Sequence, residues 1–375
     1  MPHLTILQIE NMIYSLKQSG QFNPKYTLEE AYVAWKQLSE LKNSRVVVFE
    51  QHKDLFYGAT YANHNRHHYG FHYPKSQSTI DQINKSKKEF ENKYSEACRF
   101  DFKNLYAISR ESKKVTSKKY ENFLNKNELV YNKTKIDDKI FNKKKIHSVY
   151  EVHEGIYDFD IFRKKVLANL KKTKVIIKTN HELVKINKRK SEYELFFNYN
   201  GKIISESFDI VINATYSNIN KIISMLKIPN INLEYNLQEL AIISFKRIKR
   251  IGVTIMDGNY PSILPLGKTN YHLFAHVIES QLIKENSKNN NLFKNNFITT
   301  NFTNTKNVSQ KYLKLLDQAI YHKSIISCRV VNNNKNDARK SEIIEHTNNF
   351  YSIFGAKIIT CIETANKIYH KINNL

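Results

Sequence analysis

Apolar positions along this chain change period several times, and each change predicts an element. Val46, Val47, Val48 and Phe49 form an unbroken run ending on Glu50, the pattern of a strand buried on both faces with an acid at its carboxyl end. Ahead of it, Leu4, Ile6, Leu7, Ile9, Met12, Ile13 and Leu16 recur at helical spacing, so residues 1–22 are expected to be helical or poorly ordered and not a central strand. Residues 28–42 read as a second helix, with Thr27 as N-cap and Glu30 completing a capping box. Further helices are expected over 78–98, 117–129 and 159–170, and after the Gly355 turn to Ile372.

Strand patterns lie between them. Residues 105–108 and 175–177 are short apolar runs, the second expected to be buried. Residues 182–188 and 193–199 alternate and are closed by Asn200-Gly201, a strong hairpin signal, and 208–212 leads into Asn213-Ala214-Thr215. Residues 235–280 are rich in β formers, with turns at Asp257-Gly258 and Leu266-Gly267, which predicts an antiparallel sheet. Residues 326–331 and 350–354 are strands, and the asparagine-rich stretch 286–307 is expected to be a surface loop. The alternation of buried strands with helices predicts an α/β chain: a Rossmann-like nucleotide-binding domain from 28–75, 145–220 and 320–375, an atypical extension over 1–27, and a mostly antiparallel substrate (cap) domain from 76–144 and 221–319.

Composition changes this picture little. At 375 residues the chain can bury one large or two ordinary cores. The formal charge of +24 invites a nucleic-acid or membrane partner, but the basic residues are spread over the chain, as a general bias toward lysine would leave them, and this argues against nucleic acid. Cys98, Cys328 and Cys361 are odd in number and far apart, so neither a disulfide framework nor a metal site is suggested and a reducing, cytoplasmic setting is expected. No run is long enough to span a membrane, and Met1-Pro2-His3 does not begin like a secretory leader.

The chemistry is concentrated after Glu50. Five of the 14 histidines fall between His52 and His72, yet they lack the helical pair and supporting carboxylate of a zinc motif, so polar pocket or surface roles are expected and no metal. Gly58-Ala59-Thr60, then Asn63, Asn65, Arg66 and His67, leading to Gly70-Phe71-His72-Tyr73-Pro74, resembles the flavin-contacting segment of the D-amino-acid oxidase-like (DAO) family of FAD-dependent oxidoreductases. The Asn213-Ala214-Thr215 strand end and the Gly355-Ala356-Lys357-Ile358 helix entry are similar to that family's later blocks and come in the expected order.

The resemblance implies an FAD/NAD(P)-binding Rossmann-like domain, FAD as cofactor, and oxidation of a small amine or hydroxy acid by hydride transfer to flavin N5. It implies cofactor contacts from Glu50, Gly58, Ala59, Thr60, Asn63, Asn65, Arg66, His67, Ala214, Thr215, Gly355, Ala356, Lys357 and Ile358. Arg329 would clamp a substrate carboxylate and Lys357 would stabilise the reduced flavin, with Tyr73, Tyr260 and His276 also on the substrate side. One element departs from the pattern: where a glycine-rich fingerprint should precede the 28–42 helix stands Asn23-Pro24-Lys25-Tyr26-Thr27. Two further readings therefore stay open, a degenerate relative that has lost FAD and binds a partner, and an RNA-modifying flavoprotein suggested only by charge.

Overall fold

The computed structural model describes residues 3–8, 45–56, 58–248, 250–285, 298–332, 341–355 and 357–373, with 3–8 as backbone. The expected helix over 28–42, its Thr27 cap, and Ala356 lie outside the described residues, as does the stretch 286–297.

A six-stranded sheet runs in the order Glu342–Thr347, Phe350–Phe354, Ile210–Asn213, His3–Gln8, Arg45–Glu50, Ile176–Lys178, and all but its first pair are parallel. Alternation explains the unbroken apolar runs. Val46, Val48, Ile210 and Ile212 pack against the helices Gln77–Tyr94, Phe159–Leu170 and Cys361–Asn373, while Val47, Phe49 and Val211 face the three-stranded antiparallel sheet His181–Lys188, Tyr193–Tyr199, Lys202–Phe208. Phe49 stacks on Phe197 with ring centroids 3.9 Å apart. With both faces covered, the strands can be hydrophobic throughout.

The amino terminus corrects the helical expectation. His3–Gln8 is a central strand, with Thr5 opposite Val47 on one side and Val211 on the other. Two completed parallel ladders outweigh a helix-like apolar spacing that only tertiary contacts could have reinforced. Residues 176–177 are also corrected. They form the last strand of this sheet among the described residues, and Ile176 and Ile177 stay 40% and 38% exposed.

The second large sheet has nine strands. It is antiparallel except where Ile251–Met256 runs parallel to Lys103–Ser109. Two runs expected in the nucleotide-binding unit belong here: Ile146–Val152 pairs with Lys103–Ser109, and Ala319–Asn332 pairs with Leu233–Phe245 along nearly its whole length. A continuous antiparallel partner of matching length outcompetes a place at the parallel sheet. The Asn200-Gly201 turn joins 193–199 to a strand the sequence pattern did not separate, Lys202–Phe208, and Asn200 and Gly201 hold the positive φ of 51° and 84° that such a turn requires. Part of the expected 286–307 loop is helical, as Phe302–Gln310.

A small antiparallel sheet ties the histidine-rich loop to the rest. Arg66–His67 and Cys98–Arg99 flank Gly155–Tyr157, and a Cβ on Gly155 would sit 2.5 Å from the Arg99 carbonyl oxygen, so only glycine fits.

Candidate active site

The parallel strands Arg45–Glu50, Ile210–Asn213 and Phe350–Phe354 all end toward one side of the molecule, and the segments that follow them meet the large sheet there. Between them lies a cavity of about 380 Å³, within the range of ligand pockets. Ala59, Thr60, Asn63 and Arg66 enter it from the first segment, Ala214 from the second, Gly355, Lys357 and Ile358 from the third, and Tyr73, His276 and Arg329 from their own elements. Segments more than a hundred residues apart thus share one cavity, as the chain order of the motifs leads one to expect.

The loop after Glu50 is held by its own side chains. Asn63 Nδ2 donates to the Thr60 carbonyl at 2.8 Å and to that of Ala59, and its Oδ1 accepts from the Asn65 amide at 2.6 Å. The Tyr157 hydroxyl reaches the Thr60 carbonyl at 2.9 Å from 97 positions away. Asparagine suits this place because one side chain can serve a donor and an acceptor of the turn, and Asn65 tolerates its φ of 52°.

Not every expected residue lines the cavity. Glu50 is buried at its strand end and accepts the His52 amide at 2.9 Å. Gly58 shapes the turn, its carbonyl receiving the Tyr61 and Ala62 amides, and Thr215 bonds back to Asn213 at 2.6 Å. His67 turns away, its Nε2 lying 2.9 Å from Glu91 Oε1. Tyr260, in the turn between Ile251–Met256 and Pro261–Pro265, packs edge-on against Tyr312 in the core beside the large sheet.

A buried polar network under the cavity was not visible in the sequence. Arg66 Nη1 meets Glu154 Oε2 at 3.1 Å and its Nη2 donates to Thr254 Oγ1 at 2.9 Å, while the Tyr106 hydroxyl donates to the same carboxylate. Glu154 Oε1 accepts the Tyr69 amide at 2.9 Å and lies 3.8 Å from His68 Nδ1. His68 Nε2 in turn stands 3.2 Å from the Tyr73 hydroxyl, and Lys357 Nζ sits 5.0 Å above the Tyr73 ring. A carboxylate, an imidazole and a phenol therefore form a chain that ends in the cavity.

The charges follow from that chain. Burial would raise Glu154, but its approach to His68 and the Arg66 charge hold it well below the usual carboxylate range. Burial, partly opposed by Glu154, brings His68 down to about 4, and burial with the Arg66 charge brings His64 down to about 3, so both imidazoles are neutral at pH 7. His276 is also lowered by burial; its Nδ1 accepts the Ile278 and Glu279 amides at 3.2 Å each, which leaves its proton on Nε2. The only sequence signal for Glu154 was an acid beside Gly155, with Glu151, Asp158 and Asp160 close by, which singles out neither it nor a partner.

Thr60 Oγ1 and both side-chain amide atoms of Asn65 are buried with no protein partner. Buried polar atoms are costly unless something satisfies them, and these lie on the loop that bounds the cavity. Among the described residues no three His, Cys, Asp or Glu side chains are grouped as a metal site, and no helix is long and apolar enough to cross a membrane.

No protein-family model and no curated protein sequence matches the chain. Solved structures similar to it include glycine oxidase from Geobacillus kaustophilus, at TM-score 0.70 and 10% identity over 100% of this chain and 95% of that one. L-Proline dehydrogenase from P. horikoshii matches at 0.70 and 12% over 100% and 93%. L-alpha-Glycerophosphate oxidase from Mycoplasma pneumoniae, dithionite-reduced with FAD bound, matches at 0.75 and 14% over 99% and 94%. Identities this low establish a shared fold: an α/β chain with the architecture of these oxidases and dehydrogenases.

Proposed function

We propose that this protein is an FAD-dependent oxidoreductase that oxidises a small amine or hydroxy acid. The observation that carries the reading is the meeting of Ala59, Thr60, Asn63 and Arg66 with Ala214 and with Gly355, Lys357 and Ile358 around one cavity beyond the carboxyl ends of parallel strands, where ligands of such sheets bind. The shared fold with structures titled as oxidases and dehydrogenases adds to it.

The residues present fit a flavin dinucleotide. Glu50, buried at its strand end, would hold ribose hydroxyls, and the orphaned atoms of Thr60 and Asn65 would find partners in the cofactor. Lys357, at the entry to the last helix, would face the pyrimidine edge, where negative charge gathers on reduction. When bound, the flavin supplies a hydride acceptor for the substrate carbon.

The chain's own residues would do the rest. Arg329 orients a substrate carboxylate. As the C–H bond breaks and its electron pair leaves with the hydride, the proton of the substrate hydroxyl or amine passes to the Tyr73 hydroxyl, whose own proton moves to His68 Nε2. Neutral His68 can accept it, and the Glu154 carboxylate behind stabilises the imidazolium formed.

The direct test is the purified protein's spectrum. Flavin absorption bands, or their appearance on adding FAD followed by gel filtration, are the expected result. Colourless protein that retains no added FAD overturns the reading.

A further inference from the structure

The side of the cavity built by the large sheet differs in chemistry from the side built by the parallel strands. Gln238 from Leu233–Phe245, Ser262 from Pro261–Pro265, Ser280 from the turn after Tyr271–His276, and Ser327 from Ala319–Asn332 all line it, with Arg329 at one end. These strands lie in one sheet, with Ser327 directly opposite Gln238 and Ser262 opposite Ala275, so the polar groups recur along this wall with Leu240, Ala275 and Val277 between them.

Their existing bonds leave capacity toward the cavity. Ser327 Oγ donates to the Ala62 carbonyl at 3.0 Å, so its lone pairs remain to accept. Ser280 Oγ accepts the His276 amide at 2.9 Å, so its hydroxyl proton remains to donate. Ser262 Oγ lies 3.4 Å from His64 Nε2, a long contact that a better partner would displace. An apolar amino acid would leave these polar groups unsatisfied at a cost in binding.

Two further observations narrow the ligand. Among the described lining residues there is no Asp or Glu to hold an ammonium group on this side, and Arg329 supplies a single planar guanidinium, which matches a carboxylate. We infer that the substrate is a polyhydroxylated carboxylic acid of the aldonic-acid class, its carboxylate on Arg329 and its chain hydroxyls on the serine and glutamine groups of this wall. This rests on the oxidase reading for the reaction, but the choice of acid rests on the wall alone.

The test compares six-carbon aldonates with an apolar acid of equal length and with two smaller ligands. Binding of D-gluconate, D-galactonate and D-mannonate is set against 2-hydroxyhexanoate, D-alanine and glycerol phosphate by ligand-induced shift of the melting temperature, with FAD added, and flavin bleaching without oxygen is followed in parallel. At least one aldonate is expected to bind on the order of tenfold more tightly than 2-hydroxyhexanoate, a preference that one or two well-made hydrogen bonds produce. Ser262→Ala and Gln238→Leu should bring that ratio toward one. Equal or tighter binding of 2-hydroxyhexanoate, strongest binding of D-alanine or glycerol phosphate, or no shift with any acid overturns the inference. An aldonate preference in protein that takes up no flavin would instead remove the oxidase reading and leave the substrate class standing.

Discussion

Arg66 and Glu154 face each other at 3.1 Å with their side chains 5% and 0% exposed, a nearly buried charged pair whose arginine lines the candidate active site. Removing one partner of such a pair strands the other charge, whereas replacing both with apolar groups need not. Glu154→Gln should therefore cost about 3–5 kcal/mol in urea unfolding, and Arg66→Met combined with Glu154→Leu should recover most of it. A single variant as stable as the parent protein would show that the pair is not sealed from water.

Gly155→Ala should destabilise by about 1–3 kcal/mol, because the new methyl group must push against both the Arg99 carbonyl oxygen and the Phe100 ring. Gly201→Ala is the useful comparison, since nothing lies within 4 Å of its would-be Cβ and only its positive φ opposes the change. The denaturation midpoint should fall further for the first variant.

Acid should weaken the fold in a defined window. His64 and His68 titrate near 6.5 when unfolded but at about 3 and about 4 when folded, so between pH 6.5 and 4 the unfolded chain binds protons the folded one refuses. Stability is then full above pH 6.5 and falls as the pH drops through this range. Glu154, also held low, adds loss of the same sign further down. Melting curves between pH 7 and 5, where most carboxylates stay ionised in both states, should show the decline, and His64→Gln should flatten it. A melting temperature independent of pH over that interval would contradict the assignment.

Thr5→Pro should be among the most damaging single changes to the backbone. Its strand is paired on both sides, and proline removes an amide donor from the middle of a sheet. A loss of about 3 kcal/mol or more, comparable to proline inside a helix, is expected from unfolding curves. Wild-type stability would mean that the strand is not paired there in solution.

Lys357→Ala should leave the fold intact, since its charged end rests over the Tyr73 ring at the cavity and no apolar core group is lost. In flavin-loaded protein it should slow turnover roughly ten- to a thousandfold and shift the flavin spectrum, as loss of a group that stabilises developing charge does. Unchanged spectrum and rate would remove the lysine from the site.

What the sequence determined by itself was local. Asp158 begins its helix by accepting the Ile161 amide, Asn200-Gly201 adopts the left-handed turn its residues favour, and Val46–Phe49 is a buried strand, because caps, φ preferences and apolar runs act over a few residues. The order of the motifs leads one to expect their strand ends on one side, and Ala59, Thr60, Asn63, Arg66, Ala214, Gly355, Lys357 and Ile358 do line one cavity, since strand ends in such a sheet share one side. Tertiary structure decided the rest. Whether 3–8 was helix or strand depended on two strands that begin 42 and 207 positions beyond His3. Glu154 became the partner of Arg66, 88 residues away, only because a glycine strand pairs with the histidine loop. The serine and glutamine wall exists only because distant antiparallel strands lie side by side, and no local pattern encodes which strand a strand will pair with when the ladder's hydrogen bonds are the same for all.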